Sequence, residues 1–180
     1  SGGQKQRLAV ATALVGSPEL IFLDEPTTGL DPSSRRQLWE IIEDFKKNNK
    51  SVLLTTHYME EAERLCDRVA IFDSGKIIAE GTPNELIGSL GAEHVILITL
   101  KRNFDRQEMN WIEDIPTVAQ VEKAGKELKI TVEQPHVVLP GLMSGLSESG
   151  WELASLTTRH ASLEDVFVHL TGRHLTERED

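Results

Sequence analysis

Cysteine, aromatic residues and long apolar runs are all scarce in this sequence. Its 180 residues include one cysteine, Cys66, and only 5% aromatics. A single cysteine excludes an intrachain disulfide and a cysteine-rich zinc site, and it is typical of a reducing compartment. No apolar run reaches the roughly 20 residues that a membrane-spanning helix needs, and no basic-then-apolar signal segment opens the chain. We therefore expect any role at a membrane to depend on a partner.

Basic residues are fewer than acidic ones. The 19 lysines and arginines against 29 aspartates and glutamates give a formal net charge of −10. A basic stripe is absent, so binding to a nucleic-acid backbone is disfavoured. An initiator methionine is also missing, because the chain begins at Ser1, and we interpret the chain as processed or as a fragment. The 39% hydrophobic content suffices for a core, in one large domain or two small ones.

The first 90 residues alternate helical and strand patterns. This order predicts an α/β domain, a parallel sheet with flanking helices, over residues 1–90. Two short apolar runs, 20–23 and 51–56, are predicted as strands buried on both faces. Ser74-Gly75 predicts a hairpin between strands 68–73 and 76–80, and a capping box starts a helix at Thr82. The predicted helix 4–15 has an apolar stripe of Leu8, Ala11, Leu14 and Val15. The predicted helix 32–47 has one of Leu38, Ile41, Ile42 and Phe45.

Beyond the glycine-rich stretch 88–91, the order of the predicted helices and strands changes. Strands and helices follow in the order β-α-β-β-α-β, which predicts a small ferredoxin-like α+β domain over residues 91–172, closed by a last helix. The polar tail 173–180 is expected to fray. The segments that support this order are 94–100, 106–113, 117–123, 127–133, 136–149, 151–158 and 162–170.

Two adjacent carboxylates, Asp24 and Glu25, follow the first apolar strand. Ligands bind at the carboxyl ends of the strands in open parallel sheets. An aspartate there can hold Mg²⁺ through water, and a neighbouring glutamate can polarise a water for attack on a phosphoryl group. An acidic strand end at a turn is the simpler alternative for this pattern alone.

Three further features point to the same chemistry. Asp31 follows in the turn Thr27 to Pro32, and His57 closes the next strand, so these side chains are predicted to meet Asp24 and Glu25 at one edge of the sheet. The tetrapeptide Ser1-Gly2-Gly3-Gln4 places open backbone N–H groups at a helix N-terminus, where an anion can bind.

Together these motifs resemble those of the ATP-binding-cassette (ABC) ATPases. The resemblance rests on the signature motif Ser1 to Gln4, the Walker B strand Leu20 to Glu25, the D-loop Gly29 to Pro32 and the switch histidine His57. The second half resembles the C-terminal domain of ABC-2 type exporter ATPases, most clearly over residues 162–172.

The resemblance implies a role for each motif. Glu25 would be the general base, Asp24 would act on Mg²⁺ and His57 on the γ-phosphate of ATP. Ser1, Gly2, Gly3 and Gln4 would contact the nucleotide of the opposite subunit, and Asp31 would lie at the dimer interface. The expected partners are a second ATP-binding subunit and integral membrane permease subunits, but no nucleic acid, at the cytoplasmic face of the cell membrane as a peripheral protein.

One motif of the family is missing. No G-x-x-x-x-G-K-[ST] phosphate loop occurs in the 180 residues, and the amides and lysine of that loop hold the phosphates. We therefore expect this stretch alone to be inactive and to function as part of a full-length dimer. Two alternatives remain: a regulatory and dimerisation module only, or a soluble ABC ATPase without a transporter.

The remaining polar and aromatic residues favour structural roles. The acidic cluster Glu60, Glu61 and Glu63 is interpreted as a solvated surface, and Cys66 as a small buried apolar residue. The tryptophans are too far apart in sequence to predict a stacking platform. Five histidines lack metal-ligand spacing: His94, His136, His160, His169 and His174.

Overall fold

A computed structural model of the chain describes residues 2–172, with side chains for residues 5–6, 8–105, 108–123 and 125–172. Ser1, the first residue of the predicted signature motif, and the predicted tail 173–180 lie outside the described residues. The chain divides into two compact units, residues 1–69 and 70–180. The domain boundary near residue 90 stays a prediction. Among the described residues, no helix combines the length and the apolar character that crossing a membrane requires.

The first unit alternates helices and strands, as the sequence predicts. Strands β1 and β2 pair in parallel, from Leu20 opposite Ser51 to Asp24 opposite Thr55. This register brings the carboxyl ends of both strands to the same edge. The elements are α1 (Gly2–Leu14), β1 (Leu20–Asp24), α2 (Pro32–Lys47), β2 (Ser51–Thr55) and α3 (Met59–Leu65).

Capping residues in the sequence explain where helix α2 begins and ends. Asp31 is the N-cap and its carboxylate accepts a hydrogen bond from the backbone N–H of Ser34 at 3.0 Å, while Pro32 occupies the first turn. At the other end Asn49 has a φ of 58°, a left-handed conformation that asparagine tolerates. Leu38 and Ile42 are fully buried in the core of this unit, together with Trp39.

Three predictions about burial in this unit are wrong. β1 and β2 are not buried on both faces: Phe22 is 69% exposed and Leu53 is 56% exposed, while Ile21 and Leu23 face the core. The buried cluster that includes residues of α1, α2 and α3 covers one face of this strand pair. The predicted apolar stripe of the first helix is wrong at Leu8, Ala11 and Val15, which are exposed. Leu14 packs against the core as predicted, and Val10 is buried there as well. Ile41 of α2 is likewise exposed.

The second unit begins with a hairpin. Strands β3 (Val69–Asp73) and β4 (Lys76–Gly81) form a two-stranded sheet. Ser74 and Gly75 both have positive φ, the conformation of the tight hairpin turn that the sequence predicts. Helix α4 (Pro83–Gly88) follows, with a complete capping box between Thr82 and Glu85.

A four-stranded antiparallel sheet completes the second unit. Its strand order is β6-β7-β5-β8, the arrangement of a split β-α-β fold, so the ferredoxin-like prediction is confirmed. One face carries the larger core, in which Ile96, Leu128 and Ile130 are fully buried. The elements are β5 (His94–Leu100), a 3₁₀ helix (Arg106–Met109), α5 (Asn110–Glu113), β6 (Val118–Ala124), β7 (Glu127–Val132), α6 (Pro135–Glu148), β8 (Leu153–His160) and α7 (Leu163–Thr171).

Candidate functional site

The carboxyl ends of β1 and β2 hold the candidate site. The backbone N–H of Glu25 donates to the carbonyl of Thr55 at 2.9 Å, which extends the β1–β2 pairing by one residue. The Thr55 hydroxyl donates to Oδ1 of Asp24. Both carboxylates are thus fixed at the edge of the strand pair where the sequence predicts them.

Two side chains hold the Glu25 carboxylate. The Thr28 hydroxyl donates to Oε2 at 3.0 Å, and Nδ1 of His57 lies 3.3 Å from Oε1. The contact to His57 is an ion pair when the imidazole is protonated. The side chains of His57 and Glu25 are 46% and 49% exposed, so the pair remains open to solvent and to a ligand. The predicted meeting of Glu25 and His57 is therefore present in the structure.

The backbone of Glu25 is strained. Its φ is 42°, in the left-handed region, which costs a residue with a side chain about 1–2 kcal/mol. Pro26 follows, and the backbone N–H of Thr28 donates to the Glu25 carbonyl at 3.3 Å, so a tight turn maintains this conformation. The turn directs the carboxylate toward Thr28 and His57. Strain of this kind is common where a side chain must be held for function.

Asp24 alone does not form a metal site. Among the residues that the structure describes, no group of three or more His, Cys, Asp and Glu side chains is placed to hold a metal ion. Asp24 is exposed, and Thr55 engages one of its oxygens. Mg²⁺ is commonly held by one or two carboxylates, with water and phosphate oxygens as its other ligands. The residues present fit that mode of binding and do not form an all-protein cage.

Asp31 has a local structural role. Its carboxylate accepts from both the backbone N–H and the hydroxyl of Ser34, and the hydroxyl contact is the main cause that lowers the pKa of Asp31. Both of these contacts lie within the first turn of α2, and the predicted role of Asp31 at a dimer interface stays a prediction.

The signature tetrapeptide lies only in part within the described residues. Ser1 and the side chain of Gln4 are not described, whereas the backbones of Gly2, Gly3 and Gln4 form the first turn of α1. The predicted position at a helix N-terminus is present, and its contact with a nucleotide stays a prediction.

Four residues of the site were missed by the sequence analysis. Thr28 and Thr55 hold the two carboxylates; Tyr58 and Arg35 stack next to His57. The Tyr58 ring lies 4.1 Å from the His57 ring, and the Arg35 guanidinium lies 4.3 Å from the Tyr58 centroid. Thr28 could have been found from its i+3 spacing to Glu25, and Thr55 from its position opposite Asp24. No sequence signal links Arg35 with Tyr58, which come from different elements.

Some structural interpretations outside the site need correction. Glu61 is not solvated but fully buried, and it accepts a hydrogen bond from Nε1 of Trp39 at 2.9 Å. Trp111 and Trp151, distant in sequence, have ring centroids 6.5 Å apart in the core of the second unit. Cys66 is half-buried, and burial raises the pKa of its thiol, which suits an unreactive cysteine.

The histidines form one pair that their spacing does not reveal. His94 and His160 face each other across β5 and β8, with ring centroids 4.6 Å apart. His174 lies outside the described residues.

Comparison with protein families gives two matches. The C-terminal domain of DrrA1-3-like ATP-binding proteins matches residues 81–171, about half of the chain. An AAA domain family, described for AbiEii toxins of type IV toxin–antitoxin systems, matches residues 1–61.

Curated relatives align along nearly the whole chain. The Nod factor export ATP-binding protein I of Cupriavidus pinatubonensis is 40% identical over 178 residues, which are 98% of this chain and 51% of that protein. The daunorubicin/doxorubicin resistance ATP-binding protein DrrA of Streptomyces peucetius is 38% identical over 180 residues, covering 99% of this chain and 54% of that protein. The chain thus spans about half the length of the curated relatives it matches.

A solved ATP-binding subunit of an ABC transporter also resembles the chain. It is 35% identical, with a TM-score of 0.46, over 51% of this chain and 38% of that one.

Proposed function

Because the chain belongs to the family of DrrA1-3-like ATP-binding proteins, we propose that it forms the signature-to-C-terminus part of an ATP-hydrolysing subunit of an ABC-type exporter. The observation that carries this proposal is the Glu25 carboxylate, which Thr28 and His57 hold at the carboxyl ends of two parallel strands. Export is favoured because the curated relatives bear names of export and drug-resistance proteins.

The geometry supports a division of roles at the site. Glu25 is a base or water-positioning group, because its carboxylate is both oriented and half exposed. With Nδ1 of His57 facing Glu25, Nε2 is the ring nitrogen that can donate to a γ-phosphate. Asp24 would hold a hydrated Mg²⁺, and the metal would neutralise charge on the transferring phosphoryl group.

Two features of the complete protein follow as part of this proposal. Gly2 and Gly3, with Ser1 and Gln4, would bind the nucleotide of a second subunit through the N-terminus of α1, and Asp31 would lie at that dimer interface. Integral membrane permease subunits would supply the path for the substrate, with this subunit at the cytoplasmic face of the membrane.

Glu25→Gln in the complete subunit tests the proposal. The amide keeps the shape and the Thr28 contact but removes the basic oxygen, so we expect ATP turnover to fall by about 100-fold or more while ATP affinity stays within about threefold. Phosphate release and fluorescent-nucleotide titration measure the two quantities. Thr12→Ala, an exposed change on α1, serves as a control that should keep turnover. Retained turnover in Glu25→Gln would refute the role of Glu25.

A further inference from the structure

Two residues, Tyr58 and Arg35, form a stack next to His57. The Tyr58 ring lies against the imidazole, with centroids 4.1 Å apart and planes tilted by 39°. The Arg35 guanidinium carbon lies 4.3 Å from the centroid of the same tyrosine ring. His57 is therefore contacted by an aromatic ring as well as by the carboxylate that it pairs with.

Arg35 makes this contact from a partly desolvated position. It lies on the first turn of α2, and its Nε is buried with no hydrogen-bond partner among the described residues. A cation over an aromatic face gains more when water is excluded. The tyrosine ring thus compensates for part of the lost hydration, and this fixes the guanidinium and the ring relative to each other.

The backbone of Tyr58 is fixed as well. Its N–H donates to the Thr56 hydroxyl at 3.0 Å, and its carbonyl accepts from the N–H groups of Glu61 and Ala62 in the first turn of α3. Because both its backbone and its ring are held, Tyr58 presents a fixed surface to the imidazole. An exposed histidine without such a surface would sample several rotamers.

We propose that Arg35 and Tyr58 are positioning residues, which together hold the His57 imidazole against Glu25 and so keep Nε2 directed toward the reacting phosphate. This inference rests on the proposed function for its kinetic consequence, but the stack itself can be tested without any turnover. Its effect is orientation: His57 touches the phosphate, whereas Arg35 and Tyr58 act only through His57.

Arg35→Met in the complete subunit tests the kinetic consequence. Methionine keeps much of the length and apolar volume but removes the cation, so we expect kcat for ATP to fall about tenfold, with KM within about twofold. Arg36→Met is the matched control, because Arg36 is exposed on the same turn of α2 and loses the same charge; it should keep kcat within about twofold. Equal losses in both variants would overturn the proposal.

Tyr58 provides a second pair of variants. Tyr58→Leu removes the ring and should lower kcat by a similar factor, whereas Tyr58→Phe keeps the stacking face and should restore turnover to within about threefold of the original. A Phe variant as impaired as the Leu variant would show that the ring face is not what matters. This pair keeps the proposal testable if Arg35→Met does not fold.

Histidine-selective NMR separates this proposal from the proposed function. The ring signals of His57, assigned by their loss in His57→Gln, should shift toward those of a free histidine in Arg35→Met and Tyr58→Leu, but not in Arg36→Met. This measurement needs no ATP. Shifted signals in a subunit without turnover would refute the proposed function alone, whereas unmoved signals would refute the positioning role whatever the turnover.

Discussion

Single residues of this protein show how environment decides what an acidic side chain does. Glu25 has a strained backbone and a half-exposed carboxylate between Thr28 and His57. Asp31 caps a helix, and Glu61 is buried and accepts a hydrogen bond from the indole N–H of Trp39. Asp31 is also exposed, but its carboxylate is engaged in the helix cap, whereas the half-exposed Glu25 carboxylate lies beside His57. This difference is why we assign the chemical role to Glu25.

Asp165 illustrates a fourth environment, a buried carboxylate between two cations. Its side chain is 4% exposed and contacts Lys129 at 2.9 Å and Arg159 at 2.7 Å. Burial by itself raises the pKa of this carboxyl, but hydrogen bonds from Arg159, Lys129 and the Ser162 N–H outweigh it, and the net pKa is lowered. The ionised form is therefore part of the folded structure.

We expect Asp165→Asn to lower the free energy of unfolding by about 3 kcal/mol at pH 7, because Arg159 and Lys129 each lose a buried ion-pair partner. Since the folded-state pKa is below the unfolded value of about 3.9, the contribution of Asp165 is present above that value and is lost as pH falls below it. Urea unfolding at pH 7 and pH 3 should therefore give a smaller difference between variant and original protein at pH 3.

Glu164→Gln is the matched control for this prediction. Glu164 is the exposed neighbour on α7, so we expect a change within about 0.5 kcal/mol. An equal loss in both variants, or a difference that does not shrink at pH 3, would contradict the assignment.

The exposure and the spacing of helices and strands depend on what packs against them. The strand pair β1–β2 has one face against the core and one exposed face with Phe22 and Leu53. In the second unit, α6 packs closely on α5: a Cβ at Gly145 would lie 2.3 Å from the Trp111 ring, whereas one at Gly141 would meet Ile115 at an ordinary 3.8 Å. The contact with Trp111 therefore requires glycine at position 145, whereas no close contact requires it at position 141.

This contrast gives a prediction for α6. Gly145→Ala should lower the free energy of unfolding by about 1–3 kcal/mol, because the added methyl group overpacks the contact with Trp111. Gly141→Ala has room and should raise it by about 0.5–1 kcal/mol through helix propensity. Thermal and urea unfolding of both variants measure the difference. Equal effects of the same sign would show that the Trp111 contact does not constrain the helix spacing.

The whole chain carries the base and switch histidine of the proposed site but no phosphate loop. In the proposed site, the β1–β2 edge would provide the Asp24 carboxylate for a hydrated metal and the Glu25 carboxylate for water. Neither group replaces the lysine and the row of backbone amides that hold phosphates in that loop. At this scale the chain contains the residues that we propose for attack on a phosphoryl group, but not the loop that would hold the phosphates.

We therefore expect the 180 residues alone to release phosphate from ATP no faster than buffer, because the phosphates are not held in line with Glu25. A phosphate-release assay of this chain and of its Glu25→Gln variant measures this. Turnover that the substitution abolishes would contradict the expectation, and turnover unaffected by it would indicate a contaminant.

Sequence alone predicted most of the elements and the main residues of the proposed site. Capping residues, turn pairs and apolar runs are local signals, so the helices, the hairpin at Ser74-Gly75 and the β-α-β-β-α-β order could be predicted from neighbouring residues. Glu25 and His57 could be predicted because each follows a strand, and parallel strands end at one edge.

Tertiary structure decided burial and the contacts between distant elements. The exposed face of β1–β2, the buried Glu61 and the meeting of Trp111 with Trp151 depend on which surfaces the folded chain covers. No local pattern encodes this. The stack of Arg35 on Tyr58 next to His57 is of the same kind, because it joins α2 to the start of α3. The amino-acid sequence determines which chemical groups are present and where they lie along the chain. The orientation and burial of these groups are determined only when separate elements pack together.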